Sequence, residues 1–214
     1  MGNDIFTTQR NPMAPREKEP PKAEVLDVRD DLMGEAVAFY GPQSPPRTGA
    51  PAGFTHSWRT QQMDLYGSIG VLGLHGGAGA STVTHLLGEN ALEVGREWPV
   101  PLGQTGAQAP LGGVVAVGRD DFRGLKAADV FVKAWAAGNL PGPPLLGLVF
   151  VASSPHLTAP RAHESKRILH VVPMGLRLPW MGLWLEGAPN TDALPRRIKQ
   201  TVKTIKKALT LGEK

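Results

Sequence analysis

The chain has 214 residues, of which 41% are hydrophobic and 20% charged, with 26 glycines, 20 prolines and no cysteine. That length accommodates one ordinary domain plus an extension, and the missing thiols exclude disulfide staples, thiolate metal sites and cysteine nucleophiles. The net charge of +4 is unevenly placed: residues 196–214 hold seven Lys/Arg against Glu213, a balance of +6, which leaves −2 for residues 1–195. No run approaches the roughly 20 continuous apolar residues that span a bilayer, and residues 1–10 lack a charged-then-apolar export signal. The expected location is the cytoplasm, with a peripheral position at the membrane open to the basic C-terminal segment.

Residues 1–65 are expected to form a disordered, Pro-rich tail. Pro12, Pro15, Pro20, Pro21, Pro42, Pro45, Pro46 and Pro51 stand among few clustered large aliphatics, and such segments bury too little apolar surface to offset the entropy of ordering. Residues 23–40 are less polar, and read either as a partner-binding peptide or as a solvated linker. A domain is expected over residues 66–211. Residues 69–74 are an apolar run of strand length, and Val83, Leu86 and Leu87 then recur at helical spacing, with Gly88 as the stop. Residues 89–111 read as loop. Residues 114–117 predict a second strand, and Phe122, Leu125, Ala128, Val132 and Trp135 share one face of the helix that follows.

Residues 145–152 are apolar almost throughout, as in parallel strands covered on both faces. A short amphipathic helix is expected over 160–168 and a fourth strand over 169–172. Leu194, Ile198, Val202, Ile205 and Leu209 line one side of a final helix. The alternation of strand and helix predicts an α/β domain, with a small, mainly parallel sheet of four or five strands flanked by helices.

The strongest chemical signal is Gly73-Leu-His-Gly-Gly-Ala-Gly-Ala-Ser-Thr82. Glycines without Cβ atoms let successive backbone N–H groups converge. The start of the next helix adds unpaired N–H groups and a positive dipole end, so strand, loop and helix together favour a bound phosphate. The hydroxyls of Ser81 and Thr82 stand where such loops hold Mg²⁺. Close packing of helix on strand is the alternative role for the glycines.

His75-Gly-Gly-Ala-Gly-Ala-Ser-Thr82 resembles the deviant Walker A motif of ParA/MinD-type ATPases, Lys-Gly-Gly-x-Gly-Lys-(Ser/Thr)-(Ser/Thr). Gly76, Gly77, Gly79, Ser81 and Thr82 match it. His75 replaces the signature lysine, and Ala80 replaces the lysine that contacts the β- and γ-phosphates. The resemblance implies a P-loop NTPase-like fold over residues 69–209 with a reduced middle. It implies a site of His75, Gly76, Gly77, Ala78, Gly79, Ala80, Ser81 and Thr82, holding ATP or ADP with Mg²⁺ and with Ser81 on the metal. Loss of the lysine removes charge neutralisation at the γ-phosphate, so the implied activity is that of a pseudo-ATPase that binds partners, a protein or a second copy of the chain. If the loop is vestigial, no cofactor is implied.

Leu74-His-Gly-Gly-Ala-Gly, Gly95-Arg-Glu-Trp-Pro, Leu145-Leu-Gly-Leu-Val and Leu178-Pro-Trp together resemble, more narrowly, an uncharacterised actinobacterial protein family whose genes accompany conjugative or integrative elements and secretion ATPases. This association implies one alternative, a structural or scaffolding component of such an apparatus; a separate alternative is an atypical ATPase that borrows a lysine or arginine from a partner.

Other residues bear on chemistry. His75-Gly-Gly-Ala78 also looks like a hydrolase oxyanion turn, but no Gly-x-Ser-x-Gly nucleophile elbow accompanies it. Asp120 or Asp121 is expected to cap the helix that begins at 122 rather than bind metal, and Arg119 is a candidate substitute for the lost lysine. The histidines show no metal-ligand spacing, and His75 reads as a hydrogen-bonding loop residue rather than a base. Trp180 and Trp184, in the apolar stretch 173–185, serve either core packing or an interface. The basic helix over 194–210, with Arg196, Arg197, Lys199, Lys203, Lys206 and Lys207, either packs and exposes its charges or meets anionic lipid or nucleic acid.

Overall fold

Successive side chains along a strand point to opposite faces, so the uninterrupted apolar runs near residues 71, 115 and 149 each require cover on both sides of a sheet. The computed structural model, which describes residues 38–45, 58–63, 68–102, 112–185, 187–191 and 194–211, provides that cover. In chain order the elements are β1 (Phe39–Tyr40), β2 (Thr60–Met63), β3 (Ile69–Gly73), α1 (Ala80–Leu87), β4 (Ala91–Gly95) and β5 (Trp98–Pro101). There follow β6 (Gly113–Arg119), α2 (Phe122–Ala136), β7 (Leu145–Val151), α3 (Ala159–Leu169), β8 (Met174–Leu178), a 3-10 turn (Gly182–Leu185) and α4 (Arg196–Leu211).

The main sheet has six strands in the order β1-β8-β7-β6-β3-β4, and β2 and β5 form a separate parallel pair. All neighbours in the main sheet are parallel except β1, which runs antiparallel to β8. The chain is therefore an α/β protein with a mainly parallel sheet flanked by helices. Alternation sorts the core into two layers. Leu72, Ala116, Leu148 and Phe150 face α2, α3 and the β2–β5 pair, where Phe131, Trp135, Ile168 and Trp98 meet them. Val71, Val115, Val117, Val149 and Val151 face the other way, onto Val83 and Leu86 of α1 and Ile198, Val202 and Ile205 of α4.

The edges of this architecture differ from the sequence expectation. Residues 89–111 were expected to be loop, yet they supply β4 and β5, and the main sheet gains strands beyond the four or five anticipated. The fourth strand expected at 169–172 is the end of α3 and the turn after it, and the strand itself begins at Met174. Pro173 gives the reason: a residue with no N–H stands before a ladder rather than within it. Two short strands, β1 and β2, come from the segment expected to be tail, and the Gly41 N–H donates to the carbonyl of Pro173. The remainder of that segment, including most of 23–40, lies outside the described residues, as does the side chain of Leu209.

Phe122, expected on the buried face of α2, is 81% exposed at the first position of the helix, whereas Gly124 and Leu125 of the same turn are buried. Between α2 and α3, Arg167 bridges Asp129 and Glu164, and Lys133 adds a second contact to Asp129. Partial burial pushes the Asp129 carboxyl up, but hydrogen bonds from Lys133 and Arg167 outweigh it and hold the group below its ordinary value. The Arg167 hydrogen bond likewise lowers Glu164.

Candidate functional site

The chain leaves β3 toward β4 on one side and leaves β6 toward β7 and β8 on the other, although β3 and β6 are neighbours. In open parallel sheets, strands whose connections diverge in this way leave a crevice at their C-terminal ends, where ligands bind. Register brings those ends level: Gly73 pairs with Val117, and Arg119 with Val151. Two segments meet there, the loop 74–79 after β3 and Arg119-Asp120-Asp121 at the end of β6.

The loop is built by backbone geometry. Gly77 and Gly79 adopt φ +75 and +92, dihedrals that side-chain-bearing residues rarely tolerate. Gly79 serves as the N-cap of α1 without any side-chain cap. A Cβ on Gly79 would also lie 3.0 Å from Cγ2 of Val151, so two constraints demand glycine there. Gly76 and Gly77 are exposed, with open space around each. The helix therefore starts with donors not met by a side chain, at an accessible turn.

Arg119 and His75 stitch the crevice together. The Arg119 backbone N–H donates to His75 Nε2 at 3.2 Å, and His75 Nδ1 lies 2.9 Å from the Gly76 carbonyl. A carbonyl only accepts, so the hydrogen sits on Nδ1 and Nε2 is the acceptor. The Arg119 guanidinium donates through Nε to the Gly77 carbonyl at 2.9 Å. His75 is thus a hydrogen-bonding loop residue, as its place in the sequence suggested. Among the described residues no acceptor meets the two terminal nitrogens of Arg119.

The remaining expected site residues divide by exposure. Ser81 is exposed and Thr82 half-buried at the start of α1, whereas Ala78 and Ala80 are buried at 2% and 7% exposure. Ala80 belongs to the core layer beneath α1, and a Cβ on Gly73 would lie 3.4 Å from its own. The position that the Walker A resemblance assigns to a phosphate-binding lysine is packed here as core. Among the described residues, no group of three or more His, Asp or Glu side chains is placed to hold a metal ion.

A model of the "Family of unknown function (DUF6668)" matches residues 68–202, more than half of the 214. The chain belongs to this family. No curated protein and no solved structure matches it. The stretch matched to DUF6668 contains both halves of the crevice.

The family span also contains a buried ion pair that sequence reasoning missed. Asp120 and Asp121, alternatives for one helix cap, do different work. Asp121 caps α2, accepting the Gly124 N–H at 2.7 Å. The Asp120 carboxylate is 1% exposed and the Arg177 side chain 9% exposed. Oδ2 of Asp120 accepts from Arg177 Nε at 2.8 Å and from its NH2 at 2.6 Å, while Oδ1 accepts the Ser153 N–H at 2.7 Å. One carboxylate thus ties together the ends of β6, β7 and β8, directly beside Arg119. The apolar character of Met174-Gly-Leu-Arg-Leu178 was the available signal, since an arginine inside a buried strand demands a partner.

Elsewhere, Arg196, Lys199, Lys203, Lys206 and Lys207 of α4 are exposed, opposite the buried Ile198, Val202 and Ile205. The side chain of Arg197 lies outside the described residues. Trp184 packs partly against the layer shared by α1 and α4, and Trp180 is half-buried. Leu183 and Leu185 beside them are 69% and 67% exposed. Among the described residues no helix is long and apolar enough to cross a membrane.

Proposed function

We propose that this chain is a degenerate phosphate- or nucleotide-binding module of P-loop, ParA/MinD-like ancestry, acting through a protein partner or a second copy rather than through hydrolysis. One observation carries the reading: a glycine turn with two left-handed glycines caps α1 at the switch point between β3 and β6, and its outer residues Gly76 and Gly77 are accessible. Backbone N–H groups at such a turn favour an anion. Ser81 and Thr82 offer hydroxyls for a phosphate or for Mg²⁺. Arg119, held at the loop through Nε, is the one cationic side chain anchored there among the described residues. Its terminal nitrogens supply a charge in place of the lysine that Ala80 lacks. Weak catalysis is expected all the same, because Arg119 enters from the end of β6 and the loop itself has Ala80, not a lysine, at the position that neutralises the γ-phosphate.

A scaffold with an empty loop is the second reading. It is favoured by the way His75 and Arg119 already satisfy the loop's own carbonyls. Titration calorimetry of the full chain with ATP and with ADP, each with and without Mg²⁺, separates the two. The binding reading expects saturable heat that Arg119→Ala weakens about tenfold, as for loss of a charge-assisted hydrogen bond. Absence of heat at about 5 mM nucleotide, which means binding weaker than roughly −3 kcal/mol, rejects it in favour of the scaffold.

A further inference from the structure

The sequence run Gly95-Arg-Glu-Trp-Pro99 plays no part in the glycine crevice, and its structure gives it a different task. Gly95, at φ +78, ends β4 and leads through a turn at Arg96 into β5. Trp98 is fully buried, and its indole nitrogen donates to the Pro141 carbonyl at 2.7 Å. Beside the anchored Trp98, Arg96 and Glu97 line a cavity of about 530 Å³ together with Trp58, Arg59, Gln61 and Leu74. That volume lies in the range of small-molecule sites. None of residues 75–82 lines it.

We propose that this cavity binds a small organic monoanion carrying a flat apolar group. Leu74 and the half-buried Trp58 form its apolar wall. The Trp58 indole N–H already donates to the Arg96 carbonyl at 3.1 Å, and its ring meets Phe131 edge-on at a centroid distance of 5.2 Å. The ring is therefore fixed in place and offers a ligand carbon surface rather than a donor. Arg59, Arg96 and Glu97 line the same cavity, two guanidinium-bearing residues to one carboxylate, a formal local balance of +1. Among the described residues neither arginine is ion-paired, and Glu97 neutralises neither of them. Guanidinium groups pair with carboxylates in a bidentate manner and stack on flat π surfaces, so both parts of the ligand find a counterpart on one wall or rim. Gln61 adds a neutral amide that can donate or accept. The inference is independent of any phosphate at the glycine loop.

The test uses 1-naphthoate and its uncharged analogue 1-naphthalenemethanol as probes, titrated into the full chain while the indole N–H resonances are followed by NMR. Naphthoate should shift the Trp58 resonance saturably, and naphthalenemethanol should bind at least about fivefold more weakly. The Arg59→Gln/Arg96→Gln double variant should weaken naphthoate about tenfold or more, whereas Glu97→Gln should tighten it by removing a like charge. The buried Trp98 resonance, unchanged in the variants, reports that the fold is intact. An unmoved Trp58 resonance, equal binding of the two probes, or indifference to both arginines would each overturn the proposal.

Discussion

Replacing Asp120 with asparagine would leave the Arg177 guanidinium, 9% exposed, without its counter-charge. It would also turn an amide N–H₂ toward one of the donors that the carboxylate now accepts: two from Arg177 on Oδ2, or the Ser153 N–H on Oδ1. Breaking a buried pair by removing one partner costs about 3–5 kcal/mol, chiefly through the charge left behind. At roughly 2–4 °C per kcal/mol for a protein of this size, the melting temperature should fall by about 6–20 °C. The assay is urea unfolding followed by circular dichroism, with an unchanged m-value showing that stability alone has moved. The decisive companion is Asp120→Asn/Arg177→Met. The asparagine Oδ1 can keep the Ser153 N–H while the charge is gone, so the double variant should regain more than half of the loss. A loss below about 1 kcal/mol in the single variant, or a double variant no better than the single, would refute the argument that the buried charge is what binds these strand ends.

Two further perturbations test neighbouring contacts. Asp121→Ala removes the α2 cap at Gly124 and should cost about 0.5–2 kcal/mol, while Asp121→Ser should restore most of it, read as shifts in the urea midpoint; a serine as harmful as alanine would contradict the capping role. Arg167→Met removes the bridge between α2 and α3. Both carboxyls it holds, Asp129 and Glu164, sit below their ordinary values of 3.8 and 4.5 in the folded chain. Their contribution is therefore full above those values and is lost as pH falls through the depressed ones. The stability gap between wild type and variant should be no more than about 1 kcal/mol at neutral pH, since Arg167 is half exposed, and should close in acid. A gap that persists or widens in acid would assign the effect to packing instead.

The glycine loop was legible because its determinants are local. A strand, a turn that needs left-handed dihedrals and the helix that follows are contiguous in the chain, and residues 69–88 were read with their boundaries nearly in place. The helices α2, α3 and α4 were legible for the same reason, through a 3.6-residue spacing that one face of packing imposes. β4 was not. It lies at the sheet edge and carries the extra residue of a register shift, Val94, between the pairs Val71–Glu93 and Leu72–Gly95; only Ala91 and Val94 of its five residues are buried, so no period of two appears. Phe122 misled in the opposite sense: it falls on the apolar stripe of α2 yet is exposed at the first position of the helix, because periodicity places a residue on a face without saying what covers it there.

Composition and local pattern alone thus determined the α/β class, the parallel character of the inner strands and the position of the glycine turn, since each depends on residues adjacent in sequence. Only the tertiary structure decided that Asp120 belongs to Arg177, that Arg119 lies on the glycine loop and that Trp58, Arg59 and Arg96 line one cavity. These partners stand tens of residues apart. They meet because the strand order and register of the sheet bring the ends of β3, β6, β7 and β8 level, and because β2 pairs with β5. Strand order is set by the burial of two whole layers at once, which no single segment of sequence contains.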